Sequence, residues 1–318
     1  MIIQGALAML NDYRIERITK ERLVDLLGLF ESAFNQKKTI SYLKKKFDTE
    51  RFGASFIGYI AYSQNEEPVA YYGVFPIRFK LNNRVILAAQ SGDTMTHKNH
   101  QRKGLFTELA KMTYDLARKK GIKFIFGFPG RNSLPGFVKK LNWKIDGKRH
   151  FYRFNVCTLP LAALMHMVGM EKLYILYFNF WAKVFGLKKE LGNIVIDRNN
   201  SIFYDSDGMG YRHFSDNYFL QNNGCVVWLK VVRSMEIGCI YNADDHIIEQ
   251  IIKRLRWLSV ITGLAKIHYW CSDNHPNLKF IRSYFKEYNA SYYGHIALAE
   301  DTPEVSSFLY EACDADTY

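Results

Sequence analysis

The stretch from His97 to Ala110, HKNHQRKGLFTELA, places Arg102, Lys103 and Gly104 directly before a helical pattern. That order of residue types suits an anion. The first N–H groups of a helix have no intrahelical partner, and the helix dipole adds partial positive charge there. A loop that turns those groups inward makes a cradle. Gly104 lets the backbone come close without a Cβ in the way, and Arg102 and Lys103 add full charges at the rim. A pyrophosphate is the natural occupant. Each dipole contact contributes ~0.3–1 kcal/mol, so several donors must act together to hold it.

The loop needs a strand before it and a helix after it, and the sequence supplies both. Arg84–Thr96 reads RVILAAQSGDTMT, a β-rich run. Leu105, Leu109, Met112 and Leu116 then form one stripe, which predicts a helix to Lys120 with Gly121 as its C-cap. Earlier, strands are expected at Tyr13–Ile18, Ala54–Ser63 and Val69–Lys80, with helices at Glu21–Gln36 and Ile40–Phe47. Asn82-Asn83 reads as the hairpin turn into the strand from Arg84. Later come a strand at Lys123–Phe128, a helix from Asn132 or Ser133 to about Leu141, and a strand from Trp143 to about Phe154.

The second half opens with a long apolar helix over Leu159–Leu187. The pattern then predicts a strand at Met235–Tyr241, a helix at Asp244–Thr262 ended by Gly263, a strand at Ala265–Trp270, a helix at Asn277–Glu287 and a strand at Ser291–Ala297. FIFGFPGRNSLPGFVKKLNWKI and IHYWCSDNHPNLKFIRSYFKEYNA share one plan: strand, polar turn, short helix, strand. This predicts a duplicated α/β unit, divided as residues 1–154 and 155–318. The second copy has no counterpart of Gln-Arg-Lys-Gly.

Composition narrows the function classes. A chain of 318 residues that is 48% hydrophobic and 23% charged reads as a globular protein with a sizeable core. No stretch has the length of a spanning helix, and the first residues do not make a secretory signal. Five cysteines without a CxxC pair indicate neither a zinc site nor a disulfide framework, so a cytoplasmic protein is expected. Residues 1–153 hold 28 Lys+Arg against 13 Asp+Glu, a net of +15, and residues 154–318 hold 15 against 18, a net of −3. The basic character belongs to the half that carries the loop, which fits either solvated helix faces or an anionic ligand bound there.

The run GDTMTHKNHQRKGLFTELA resembles motif A of the GNAT superfamily of CoA-dependent N-acyltransferases. Gln101 and Gly104 match its Gln/Arg-x-x-Gly-x-Gly/Ala pattern, and Phe106 stands where a small residue is usual. The order of elements over about residues 12–154 is similar too. GFPGRNSLPGFVKKLNWK looks like the following strand–helix motif, near a subgroup tied to surface-carbohydrate biosynthesis. The resemblance implies an α/β mixed-sheet fold, with two tandem GNAT-like domains and the second degenerate.

It also implies acetyl-CoA as co-substrate, with no metal. Backbone N–H groups of Arg102, Lys103, Gly104, Leu105 and Phe106 would hold the pyrophosphate. The strand end at Met95 and Thr96 would splay from Lys123–Phe128 to take the pantetheine arm, and Asn132 and Ser133 would touch its sulfur side. The acceptor would be a small-molecule amine, with an amino sugar as the candidate that the subgroup suggests.

The departures bear on chemistry. Many family members use a tyrosine as acid for the leaving thiolate, and here Val138 stands at that position, leaving another group, the Ser133 hydroxyl or water. Asp93 is the base candidate, against a plainer role as a bulge-capping carboxylate. Glu108 reads as a surface residue. Two other functions stay open: an aminoacyltransferase using aminoacyl-tRNA, which the basic half would suit, and a non-catalytic CoA-binding protein. Nucleic acid is otherwise not an expected partner, because exposed aromatics do not interleave with the basic residues along one face. His97 and His100 read as ordinary loop histidines. Asp205, Asp207, Asp314 and Asp316 read as turn residues. The aromatics Tyr177, Phe178, Phe180 and Trp181 read as core, with a membrane surface as the other possibility.

Overall fold

The computed structural model describes residues 8–10, 12–190, 195–211, 217–222, 224–300 and 308–315; Asp316 lies outside them. In chain order the elements are β1 (Ala8–Leu10), β2 (Tyr13–Arg17), α1 (Leu26–Phe34), α2 (Ile40–Lys46), β3 (Ile57–Tyr62), β4 (Pro68–Leu81), β5 (Arg84–Thr96), α3 (Leu105–Lys119), β6 (Phe124–Gly127), α4 (Leu134–Leu141) and β7 (Lys144–Asn155). There follow α5 (Leu161–Met167), α6 (Glu171–Val184), β8 (Leu187–Lys188), β9 (Ser201–Ile202), α7 (Ser206–Tyr211), β10 (Asn217–Asn222), β11 (Cys225–Val231), β12 (Met235–Tyr241), α8 (Asp245–Thr262), β13 (Lys266–Ser272), α9 (Leu278–Tyr284) and β14 (Lys286–Ala297).

These elements form two compact units whose chain segments interleave: 1–146 with 197–214 and 292–306, and 147–196 with 215–291 and 307–318. In the first unit the strands run β1-β2-β3-β4-β5-β6, followed by the end of β14, where Gly294–Ala297 pairs with Gly127–Phe124. All neighbours are antiparallel except β5 and β6. In the second, Arg149–Asn155 of β7 pairs with β13, and the order continues β12-β11-β10-β8, with only β12 and β13 parallel. A single cut at residue 154 therefore does not separate the two. The strand expected to close the first half pairs with β13 through its residues 149–155, and β14 closes the first sheet instead. Strand pattern fixes which residues face a core, not which sheet edge a strand completes.

Local rules account for the elements that carry the site. The β4–β5 hairpin turns on Asn82 and Asn83, both at positive φ (47° and 62°), the geometry that an Asn pair tolerates. Thr39 caps α2 by accepting the Tyr42 N–H at 3.2 Å. Leu105, Leu109, Ala110, Thr113, Tyr114 and Ala117 bury one stripe of α3. Alternation along β4 sends Tyr71 and Phe75 into the core beneath α1 and α2, and Tyr72 and Val74 into the core beneath α3 and α4. The segment 197–211 lies along this hairpin: Lys80 pairs with Asp197 at 2.7 Å, and Arg78 with Asp205 and Asp207. Asp205 also accepts the Gly208 N–H at 2.9 Å, so it is a turn residue as well as an ion-pair partner.

In the second unit the long helix expected over Leu159–Leu187 is two helices, broken at Gly169, whose φ is +71°. Tyr174, Phe178 and Ala182 bury one face of α6, while Tyr177 and Phe180 stand exposed. The core reading therefore holds for one face only.

Candidate functional site

β5 and β6 run parallel through Ala89–Ile125, Gln90–Phe126 and Ser91–Gly127, and there the pairing ends. β6 stops at Gly127, whereas β5 continues to Thr96. The two strands thus open into a fork. Its cause lies on the other edge of β5, where Asp93 and Thr94 stand against the single residue Tyr72 of β4, because Tyr71 pairs with Met95 and Gly73 with Gly92. Asp93 takes the extra-residue position with φ +51°, a conformation that Asp tolerates better than most. Such a bulge bends its strand and sharpens the twist.

The bulge delivers the Asp93 carboxylate to a buried cation. Lys46 Nζ lies 2.7 Å from Asp93 Oδ2, and the two side chains are 1% and 7% exposed. The ammonium also sits 4.9 Å from the centre of the Phe75 ring. Tyr211 donates its hydroxyl to the Lys46 carbonyl at 2.7 Å. Burial drives the Tyr71 hydroxyl far above its ordinary pKa; the Asp93 charge pushes the same way, and Lys46 opposes it. That hydroxyl fills the place where a Cβ on residue 73 would stand, so only glycine fits there.

On the opposite face of the sheet a second polar group reaches the fork. Ser91 Oγ and Tyr72 Oη are 3.0 Å apart, Tyr72 Oη and Tyr114 Oη 2.9 Å, and Trp143 Nε1 donates to Tyr114 at 2.8 Å. Burial pushes Tyr114 up to about 12, with the hydrogen bonds to Tyr72 and Trp143 acting downward. The chain of hydroxyls ends on Ser91, the last residue of β5 paired with β6.

Beyond the fork β5 leads into the loop before α3. Arg102 and Gly104 both have positive φ, 63° and 84°. A Cβ built on Gly104 meets nothing within 4 Å; glycine is demanded by backbone conformation rather than by crowding. The Gly104 carbonyl accepts the N–H groups of Thr107 and Glu108, so the helical bonding starts there, and the N–H groups of Leu105 and Phe106 precede it. Gln101, Arg102 and Lys103 are exposed around this helix start. His100, in the same loop, has its Nδ1 3.0 Å from Tyr13 Oη. Burial first, then Lys103 and His97, lower its pKa.

Other sequence candidates fall into place by side chain or by backbone. Met95 and Leu105 are buried core side chains, so only their backbones are left to meet a ligand. Thr96 ends β5. Phe106 packs edge-on to Phe137 at 5.2 Å, and Gly136 makes room for it, since a Cβ there would lie 2.9 Å from the ring. This packing explains a large residue where a small one was expected. Asn132 is exposed before α4. Ser133 donates to the Gly130 carbonyl at 3.2 Å, closing its own turn. Val138 is exposed on α4. Glu108 pairs with Lys111 on the helix surface. No group of His, Cys, Asp or Glu suited to a metal occurs among the described residues.

Sequence reasoning missed Lys46, the last of three consecutive lysines on α2. Its spacing from Leu43 was the available signal, because i and i+3 share a helix face and Leu43 is fully buried. Ser91, Tyr72, Tyr114 and Tyr211 carried no signal at all.

The second unit holds a fork of its own. β12 and β13 pair through Met235–Ile267, Glu236–His268 and Ile237–Tyr269 and then separate. Here the chain's own 310–314 segment enters. Ser272 N–H donates to the Tyr310 carbonyl at 2.9 Å, Tyr310 N–H donates to Ser272 Oγ at 3.0 Å, and Cys271 and Glu311 form an antiparallel bridge. Glu311, fully buried, accepts the Ile240 N–H at 3.1 Å and the Tyr269 hydroxyl. His275 Nδ1 takes the Asn277 N–H at 3.2 Å, so its Nε2 carries a proton toward Glu311 at 3.3 Å. Asp314 fixes the turn by accepting the Glu311 N–H at 2.7 Å.

Residues 14–145 match the family model described as an acetyltransferase (GNAT) domain. Among solved structures the chain is similar to a GCN5-related N-acetyltransferase from Kribbella flavida, with 12% identity and a TM-score of 0.57 over 90% of this chain and 71% of that one. It is similar to a GCN5-related N-acetyltransferase from Anabaena variabilis ATCC 29413, with 9% identity and a TM-score of 0.53 over 90% and 73% of the two chains. A glucosamine N-acetyltransferase region of a fungal multi-domain GH3 beta-N-acetylglucosaminidase gives 12% identity and a TM-score of 0.54 over 93% of this chain and 38% of that one. At these identities the likeness is one of fold. No curated protein matches the chain by sequence.

Proposed function

We propose that this chain, an acyltransferase by the acetyltransferase (GNAT) domain that residues 14–145 match, acetylates the primary amine of an amino sugar, with acetyl-CoA as donor. The observation that carries this reading is the β5–β6 fork, which opens at Ser91–Gly127 on the strand that runs straight into the Gly104 loop. The residues fit such a donor: an uncrowded glycine at positive φ, leading helix N–H groups, and Arg102 and Lys103 beside them. The donor supplies an activated acyl group on a good leaving thiolate.

The chain's own groups divide the remaining work. Backbone N–H groups of Arg102 to Phe106 hold the pyrophosphate, and β5 from Gly92 to Thr96 offers its edge to the pantetheine arm, with Asn132 and Ser133 near the sulfur. Asp93 receives the amine's proton, directly or through one water, while Lys46 fixes its carboxylate in place. Ser91, backed by Tyr72 and Tyr114, is the hydroxyl nearest the strand separation and takes the acid's part that Val138 cannot play. An amino sugar linked to phosphate suits the +15 charge of residues 1–153. The glucosamine-acetylating fungal region shares the fold, and the second unit reads as a degenerate copy of the first.

A thiol-release assay over amino sugars, polyamines and peptides tests this reading, repeated with Asp93→Asn. Loss of the base should lower turnover by about 10²–10⁴-fold, with acetyl-CoA binding in calorimetry retained. Wild-type turnover in the variant removes Asp93 from the mechanism. Activity confined to peptides or polyamines removes the sugar.

A further inference from the structure

Helices α5 and α6 turn an apolar face outward. Met167, Leu173, Leu176, Phe180 and Val184 are all more than half exposed. Helical spacing gathers the four on α6 into one stripe, at positions i, i+3, i+7 and i+11. This is the reverse of a soluble surface helix, because the opposite face is apolar and buried too. Scattered exposed apolar residues are ordinary, but a contiguous set on one helix is not.

Charge says what covers the face. Lys172 and Lys183 are both exposed and lie eleven residues apart, about three turns, so they share one border of the stripe. Residues 159–189 contain four lysines and the single acid Glu171, a net of +3 within a half that nets −3. The Tyr177 hydroxyl donates to the Ile261 carbonyl at 2.7 Å, which fixes α6 alongside the end of α8, where Trp257 is 65% exposed. Long aliphatics, Trp, Tyr and Phe bordered by lysines match the boundary of acyl chains and anionic headgroups, with lysine stems along the apolar surface and ammoniums at the phosphates. A second copy of the chain packed through a twofold axis would set the same lysine border against itself. No described helix is long and apolar enough to cross a membrane.

We propose that the outward face of α6, with Met167 and Trp257 beside it, docks the protein on an anionic lipid surface, lying in the headgroup layer. The proposal is independent of the acceptor. It is tested with the full chain by co-sedimentation with phosphatidylcholine vesicles, with and without phosphatidylglycerol. Binding to the phosphatidylglycerol vesicles is expected, weakened by salt. Leu176→Ser with Phe180→Ser should weaken it by about tenfold or more. Lys172→Glu with Lys183→Glu leaves the apolar stripe intact and should remove about tenfold of the preference for anionic vesicles. Three results overturn the proposal: wild-type protein that pellets with neither vesicle, double variants that both bind as wild type, or a concentration-dependent dimer in sedimentation velocity that the serine variant abolishes. The last would make the face a contact between copies.

Discussion

β5 and β6 part at Ser91–Gly127, and β12 and β13 part at Ile237–Tyr269, each pair joined by one long helix. The two partings lead to unlike helix starts. The first fork opens toward one bearing Arg102, Lys103 and a glycine at φ +84°. The second opens toward one bearing Asp244 and Asp245, where Asp244 already accepts the Ile247 N–H at 2.8 Å. An anion is drawn to the first and repelled by the second. Each fork region also holds a buried carboxylate. Asp93 faces an ammonium, whereas Glu311 comes from the chain's own C-terminal segment and takes neutral donors and His275. We propose the first strand parting as a ligand site; the second is completed by the polypeptide itself.

The largest expected effect breaks the first carboxylate's environment. Lys46→Met removes the buried ammonium 2.7 Å from Asp93, which should cost on the order of 3–5 kcal/mol in a denaturant titration. Adding Asp93→Asn should recover part of that loss. A neutral single substitution would mean that the ion pair is not what holds the carboxylate inside. Next comes the anion loop. Gly104→Asp combines left-handed strain of ~1–2 kcal/mol with a negative charge at the helix start, and should weaken acetyl-CoA binding by about 10²-fold in calorimetry. Unchanged affinity would move the donor site elsewhere.

The second fork is expected to respond in stability and not in turnover. Glu311→Ala takes the carboxylate acceptor from the Ile240 N–H and from the Tyr269 hydroxyl, which should cost about 1–3 kcal/mol for the buried N–H and less for the hydroxyl, since His275 Nε2 lies 3.2 Å from it. Glu311→Gln keeps an acceptor and should cost less. Thermal melts read the difference, and turnover per folded molecule should match wild type in both. Calorimetry of Glu311→Ala sharpens the comparison further, since one equivalent of acetyl-CoA is expected. Two equivalents would show that the second fork is a donor site held shut by its own chain.

Much of the first fork was legible because it rests on local rules. Gly104, the Asn82-Asn83 turn and the α3 stripe each announce themselves within a few residues. The bulge at Asp93 was not legible, since it exists only in the register between β4 and β5. Lys46 escaped notice because nothing in a run of three lysines marks the last one as buried, except that it shares a helix face with the buried Leu43. The second fork was invisible for a stronger reason. Glu311 is about 70 residues from Ile240 in sequence, and no periodicity reports so distant a pairing. Strand exchange through β7 and β14 escaped for the same reason.

The smallest expected effect is a pH dependence at the first fork, through His100. Burial, then Lys103 and His97, hold His100 below its ordinary value of 6.5, with Glu67 pulling upward. Folding stability should therefore decline as pH falls from about 6.5 toward the lowered value, because the unfolded chain takes up the proton first. A bound pyrophosphate opposes those causes and raises the pKa of His100 in the complex. Binding then takes up a fraction of a proton, so affinity should rise as pH falls through the complex's value and level off below that of the free protein. The donor's own phosphate monoester titrates near pH 6, so the readout is the difference between wild type and His100→Asn. Calorimetry in buffers of differing ionisation enthalpy counts the proton directly. Equal proton uptake in the two proteins would place His100 outside the anion's field, and with it the loop's claim to bind the donor through residues on both sides of Gln101.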